Sequence, residues 1–323
     1  MPCIDMPLKE LKDYQGVSPC PVDFDDFWDK GLEEMRQIDP QIELVPSEFK
    51  VDFAECFNMY FTGVDGARVH AKLARPKNIT SPQPAILQFH GYAGDCGDWQ
   101  SKLAYAAEGY TVAALDCRGQ AGFSEDVGGV KGSTLKGHFI RGLENALDGY
   151  PAKLLFRSIF LDTAQMAKIV MKMPEVDEKR VGATGGSQGG GLTLACASLV
   201  PEIKLVAPSF PFLTDYRRVW EMDLDVGAYE ELRTFFRKFD PQHKREDEIF
   251  EMLGYIDIQN LTKRIGGEVM LAVGLIDTIC PPSTQFAAYN KIKSMKSLEI
   301  YPDFGHEGLP GQQDKVFQFM RNL

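Results

Sequence analysis

The chain has 323 residues, 44% of them apolar and 25% charged, and its formal net charge is −11. That length buries a sizeable core, and the acidic balance leaves no excess of cations to neutralise phosphates, which argues against nucleic acid or an anionic membrane as partner. No stretch approaches the roughly 18 consecutive apolar residues of a membrane span, and the first twenty residues hold no apolar run of the signal-peptide kind.

Near the front, Phe24, Phe27, Trp28, Leu32 and Met35 recur at helical spacing. IELVPSEFKV, FNMYFTGV and ARVHAKLARP then read as strands, the last two forming an antiparallel meander that ends at Pro76. AILQFHG (85–91) is a compact apolar run closing on a glycine turn, followed by a predicted helix in DWQSKLAYAAEG. YTVAALDCRG (110–119) is a second such run, and SIFLDTAQMAKIVMKM (158–173) has the period of an amphipathic helix. RVGATGG, KLVAPSF (204–210), EVMLAVGLID (268–277) and SLEIYPDFGH (297–306) complete the series. Apolar runs alternating with helices predict an α/β fold, its central sheet mostly parallel and flanked by helices. The reading is a single domain over 1–323, with an N-terminal extension over about 1–80 and insertions at about 120–157 and 212–264. Both insertions are too long for ordinary loops and are expected to shape or cover a site at the carboxyl ends of the strands. The seven cysteines are scattered and odd in number, with no CxxC pair, so reduced thiols in a cytoplasmic protein are expected.

The glycine-rich stretch RVGATGGSQGGGLTLACAS (180–198) admits three readings: a phosphate cradle, a close helix–strand contact, or a turn presenting a nucleophile. Gly186 and Gly191 have the glycine spacing of a Walker loop, but Leu192 stands where its lysine belongs, and no glycine triplet fits the dinucleotide fingerprint. Gly185-Gly186-Ser187-Gln188-Gly189 is a GxSxG between a strand-like run and a helix-like one. That is what a strained elbow exposing a serine hydroxyl requires.

A nucleophile of this kind needs an acid and then a histidine downstream. Only His243 and His306 follow Ser187. His243 lies in FDPQHKRED, a solvated turn or helix start, whereas His306 follows the last strand-like run. Asp277 ends the penultimate strand region. Its rival, Asp303, is expected to cap a turn beside His306. The roles are then Ser187 as nucleophile, His306 as base and Asp277 as its orienting acid. The backbone N–H groups of Gln188 and Tyr92 are the candidate oxyanion hole. His90, in His90-Gly91-Tyr92, is expected to order that loop rather than act as the base. His306-Glu307 does not extend to a zinc HExxH motif, because position 310 is Pro310. This chemistry needs neither metal nor organic cofactor.

RGQ at Arg118-Gly119-Gln120, GGSQGG around Ser187 and HE at His306-Glu307 together resemble the signature set of the acetyl xylan esterase/cephalosporin C deacetylase family. This group is carbohydrate esterase family 7 of the α/β-hydrolase superfamily. The opening PLKELKDYQG…DFDDFW and the HGYAGDCGDW loop extend the likeness along nearly the whole chain. The resemblance implies an α/β-hydrolase fold and deacetylation of acetylated xylo-oligosaccharides, other acetylated sugars or cephalosporin C. It also implies a cytoplasmic hexamer with active sites facing an inner chamber. By the same resemblance Ser187, Asp277 and His306 form the triad, Tyr92 and Gln188 the oxyanion hole, and Arg118 and Gln120 brace the loops. Tyr92, Phe210 and Phe212, with Phe123, which follows RGQ and Ala121, are candidates for an acyl pocket; core packing is the competing role for the phenylalanines. Gly185 and Gly189 belong to the elbow, and Gly190 and Gly191 to close helix–sheet packing. A longer-chain esterase or a peptidase of the same superfamily remains the alternative, because a triad does not specify its acyl group.

Overall fold

A computed structural model describes residues 4–125, 127 and 137–323. Part of the first glycine-rich insertion, residues 126 and 128–136, lies outside the described residues, as does Cys3. Nine strands form one sheet: β1 (Glu43–Pro46), β2 (Ala54–Thr62), β3 (Arg68–Pro76), β4 (Gln83–Phe89), β5 (Thr111–Leu115), β6 (Val176–Gly186), β7 (Leu205–Ser209), β8 (Glu268–Gly274) and β9 (Lys296–Tyr301). Their order is β1-β2-β3-β5-β4-β6-β7-β8-β9. The meander β1–β3 joins through an antiparallel β3–β5 pair, and every pairing from β5 to β9 is parallel. The chain therefore runs outward from β4 in both directions. The crevice at that reversal is where such sheets bind ligands.

Both faces are covered, which is why the central strands read as continuous apolar runs. On one face, Leu87, Ala183 and Val206 join a large core with α1 (Phe24–Gln37), α2 (Leu155–Met171) and α3 (Gln188–Leu199). On the other, Ile86, Val112 and Ala207 pack with Tyr105, Val316 and Met320, the last two from the final helix. The helical spacing read near the front is α1: Trp28 is fully buried, stacks on Phe160 and donates its Nε1–H to Tyr255 O at 3.0 Å.

The residues before α1 form a strap tied to Asp215, Ser283 and Asn290. Asp215, fully buried, accepts hydrogen bonds from Tyr14 Oη (2.7 Å), Val17 N (3.1 Å) and Ser18 N (2.8 Å). Asp5 accepts from Ser283 N at 2.6 Å, and Asn290 Nδ2 donates to the carbonyls of Leu11 and Tyr14. The six described cysteines are all free thiols. Among the described residues, no helix is long and apolar enough to cross a membrane.

Candidate active site

β6 ends at Gly186 and α3 begins at Gln188, leaving Ser187 between them at φ 57° and ψ −122°. A serine holds such a conformation only where its surroundings over-determine it. Here Ser187 N donates to Ser209 O and Phe212 N donates to Ser187 O, each at 3.0 Å, so the end of β7 clamps the turn. The glycines let the other side close. A Cβ on Gly185 would stand 2.5 Å from Gly189 O, and one on Gly189 only 2.1 Å from Phe89 O. Gly190 and Gly191 are equally tight against Ser209 O (2.6 Å) and Phe212 O (2.4 Å), so any side chain would push α3 off the sheet.

The turn presents the Ser187 hydroxyl to His306, whose Nε2 lies 2.9 Å from Oγ. His306 Nδ1 lies 2.9 Å from Asp277 Oδ2, so Nδ1 carries the proton toward the carboxylate and Nε2 is left to accept the serine proton. Asp277 is fully buried just beyond β8. Its Oδ1 accepts from Ile279 N (2.9 Å) and Cys280 N (2.8 Å), which holds the carboxylate in place. The rivals sit elsewhere. His243 is exposed and faces Glu246 at 3.1 Å. Asp303 is exposed, and its carboxylate makes no hydrogen bond among the described residues. The capping expected of Asp303 falls instead to Glu307, which accepts from Gly305 N at 3.1 Å. His90 uses both ring nitrogens: Nδ1 donates to Gly91 O (2.7 Å) and Nε2 accepts from Cys117 N (3.0 Å). Burial pushes its pKa down, so it is a neutral brace with no free base.

As the first residue of α3, Gln188 has an N–H without an intrahelical partner, at the positive end of the helix. Its buried side chain exchanges hydrogen bonds with Gln120 (2.8 and 3.0 Å), and Gln120 Oε1 also accepts from Ala93 N at 2.8 Å. The loop carrying Tyr92 is thereby tied to the residue after the serine. Arg118 is buried beneath, forming a two-pronged pair with Asp162 (2.5 and 2.6 Å) and donating to Val64 O at 3.0 Å. Gly119 turns the chain between them at φ 66°.

The aromatic candidates divide. Phe212 is buried against Tyr92 (ring centroids 5.6 Å) and Tyr229 (4.4 Å), whereas Phe210 meets His306 edge-on at 4.9 Å. Phe123 is a correction: it is 68% exposed and lies edge-on to His70 at 5.2 Å, because its N–H is drawn to Asp116. Ala121 is exposed as well. The two insertions meet above Tyr92. His138 packs on the Tyr92 ring at 4.9 Å. Glu231, from the helix α4 (Glu230–Phe239), accepts from the N–H groups of His138, Phe139 and Ile140 at 2.9 to 3.3 Å. Burial pushes the Glu231 carboxyl up to about 7.

The sequence profile of the family described as acetyl xylan esterase (AXE1) matches residues 1–323. The chain belongs to the acetyl xylan esterase family. That makes it a member of a family of carboxylic ester hydrolases, and the α/β-hydrolase fold follows with it. Acetyl xylan esterase 1 of Thermoanaerobacterium sp. JW/SL YS485 is 57% identical, with a TM-score of 0.96 over 99% of both chains. The acetyl xylan esterase of Paenibacillus sp. R4 is 34% identical, with a TM-score of 0.92 over 98% of this chain and 99% of that one. Acetyl esterase Axe7A of Xylanibacter ruminicola is 25% identical over 289 residues, 87% of this chain. The chain spans 62% of that relative's length.

Several members of the site escape sequence reading. Cys280 lies against Ser187, and burial pushes its thiol well above the ordinary range. Asp162 and Glu231 are also missed, since their partners are distant in sequence. Among the described residues two groups have metal-ligand composition: Asp277, Cys280 and His306, and His70, Cys96 and Asp116. In the first, the carboxylate and imidazole are hydrogen-bonded to each other and on to Ser187, and burial keeps the thiol protonated. In the second, Asp116 accepts from His70 Nδ1 (2.6 Å), Cys96 N (2.6 Å) and Phe123 N (3.0 Å). Burial alone would raise its pKa, but these bonds hold it at about 2. Burial also pushes the Cys96 thiol up to about 12. Both groups are knots of satisfied hydrogen bonds.

Proposed function

We propose that this chain removes acetyl groups from small acetylated carbohydrates, with the acetoxy group of cephalosporin C as a further substrate, through an acyl-enzyme intermediate. The Asp277–His306–Ser187 series, with both contacts at 2.9 Å, carries this reading. Ser187 Oγ attacks the ester carbonyl and its proton passes to His306 Nε2. The tetrahedral oxyanion is held by the N–H groups of Gln188 and Tyr92. Collapse breaks the bond to the leaving alkoxide, which takes the proton from His306 and leaves an acetyl-serine. Water then repeats the sequence, its proton going to His306 and its oxygen to acetate. Asp277 fixes the imidazole tautomer and supports its positive charge. The names of the relatives and the packed rings of Tyr92 and Phe212 beside the serine favour a short acyl group.

Ser187→Ala should lower p-nitrophenyl acetate turnover by about 10⁴-fold or more with the fold intact. His306→Asn should do comparable damage, and Asp277→Asn far more than Asp303→Asn. Retained turnover in Ser187→Ala would sink the mechanism. A preference for p-nitrophenyl octanoate over the acetate and butyrate would replace the acetyl reading with the longer-chain one. Activity should survive EDTA. A homo-hexamer is part of the same proposal, resting on the family resemblance; light scattering of the purified protein tests it.

A further inference from the structure

A carboxylate set among successive backbone N–H groups ties the segment that carries it to the segment that donates. Glu231 is such a group. It lies partly buried on α4, in the second insertion, and its carboxylate takes up three consecutive N–H groups of the first. Oε2 accepts from His138 N (3.0 Å), Phe139 N (3.0 Å) and Ile140 N (3.3 Å), and Oε1 accepts again from His138 N at 2.9 Å. Gly137 makes the approach possible. The chain turns there at φ 66°, and a Cβ would stand 2.2 Å from Glu231 Cδ.

The stretch held in this way bears on two residues of the site. The His138 ring meets the Tyr92 ring edge-on at 4.9 Å, and the Phe139 ring meets the Phe212 ring edge-on at 6.0 Å. Tyr92 and Phe212 in turn pack on each other at 5.6 Å. Each of the two has a backbone N–H that matters to the serine. Tyr92 N is a candidate oxyanion donor, and Phe212 N donates to Ser187 O at 3.0 Å, which clamps the elbow. Tyr229, two residues before Glu231, packs on Phe139 (5.9 Å) and on Phe212 (4.4 Å), so the second insertion grips the same rings twice. Close-packed rings leave little slack, and a shift at one end of such a series is felt at the other.

We propose that Glu231 is a positioning residue for the ester hydrolysis: it fixes residues 138–140, and through the His138 and Phe139 rings it fixes the backbone N–H groups of Tyr92 and Phe212. The inference rests on the oxyanion assignment above. An oxyanion donor that shifts loses more of its hold on the tetrahedral transition state than on the bound ester. Loss of the carboxylate should therefore fall on kcat and spare KM.

Steady-state kinetics on p-nitrophenyl acetate at pH 8, where the Glu231 carboxyl is ionised, test this. Glu231→Ala should lower kcat about 10-fold and leave KM within about two-fold. His138→Ala should lower kcat about 5-fold, whereas His138→Phe, which keeps a ring on Tyr92, should stay within about two-fold of the original. Because Glu231 acts partly through His138, the Glu231→Ala/His138→Ala double variant should lose little more than Glu231→Ala alone. A raised KM with kcat unchanged, or losses that multiply in the double variant, would overturn the assignment. So would a lowered melting temperature with the kcat of the folded protein unchanged, which is what a purely structural contact gives. Should Glu231→Ala fail to fold, the His138 pair decides, and equal kcat in His138→Ala and His138→Phe sinks the proposal. If the unmodified protein fails to hydrolyse p-nitrophenyl acetate, the esterase reading itself has failed, and that outcome is separate from all of these.

Discussion

Among the described residues the buried Tyr92 hydroxyl has no hydrogen-bond partner, while its backbone serves the candidate oxyanion hole. An unsatisfied buried hydroxyl is a cost to the fold, so Tyr92→Phe should raise stability by about 1 kcal/mol and leave the N–H in place. Thermal unfolding measures this, and a destabilised variant would show that the hydroxyl is used. The glycines allow an equally local contrast. Gly189→Ala puts a methyl 2.1 Å from the Phe89 carbonyl and should cost about 3 kcal/mol, with esterase activity lost alongside. Among the described residues a Cβ on Gly91 meets nothing within 4 Å, so Gly91→Ala should stay within about 0.5 kcal/mol of the original in the same denaturation series.

The loop after β4 and the start of α3 are held in register by the Gln120–Gln188 amide pair, which no short-range pattern announces. Gln120→Leu should therefore lower kcat on p-nitrophenyl acetate about 10-fold with little change in KM, since it loosens oxyanion geometry without touching bound ester. An unchanged kcat would make the pair purely structural. That Ser187, Asp277 and His306 come together was legible because each sits at a strand end, where chain order and local pattern coincide: Ser187 after β6, Asp277 after β8, His306 after β9. Phe210 and Phe212 were less so. Alternation places residues two apart on one side of a strand, but Phe210 adopts φ 34° and the two rings part company, one to His306 and one to Tyr92. The Arg118–Asp162 pair joins a loop to the interior of α2, 44 residues on. Nothing in the local sequence around Arg118 names that partner.

Across the whole molecule, a buried aspartate makes stability depend on pH. Burial, and then the neighbouring Asp215, push the Asp257 carboxyl up to about 7. Because that value lies above the unfolded one of about 3.9, the folded state binds more protons between the two pKa values, and stability falls as pH rises toward 7. Asp257→Asn keeps an acceptor for Asp215 N, which Asp257 Oδ1 now takes at 3.0 Å, and removes the ionisation. Its melting temperature should exceed the original by about 2 °C or more at pH 8 and match it near pH 4; equal values at both would refute the linkage.

Asp215 is also where the N-terminal strap ties in, and that strap orders events during synthesis. Part of the strap is made long before its partners: Asp5 waits for Ser283, 278 positions later, and the carbonyl of Leu11 waits for Asn290, 279 positions later. At about 5–20 residues per second, the leading segment stays undocked for tens of seconds, while the helices and strands between have their neighbours to hand. The nascent chain should thus stay protease-sensitive around residues 5–11 until residues 283–290 have emerged, whereas Asp215 can meet Tyr14 and Ser18 as soon as it is made.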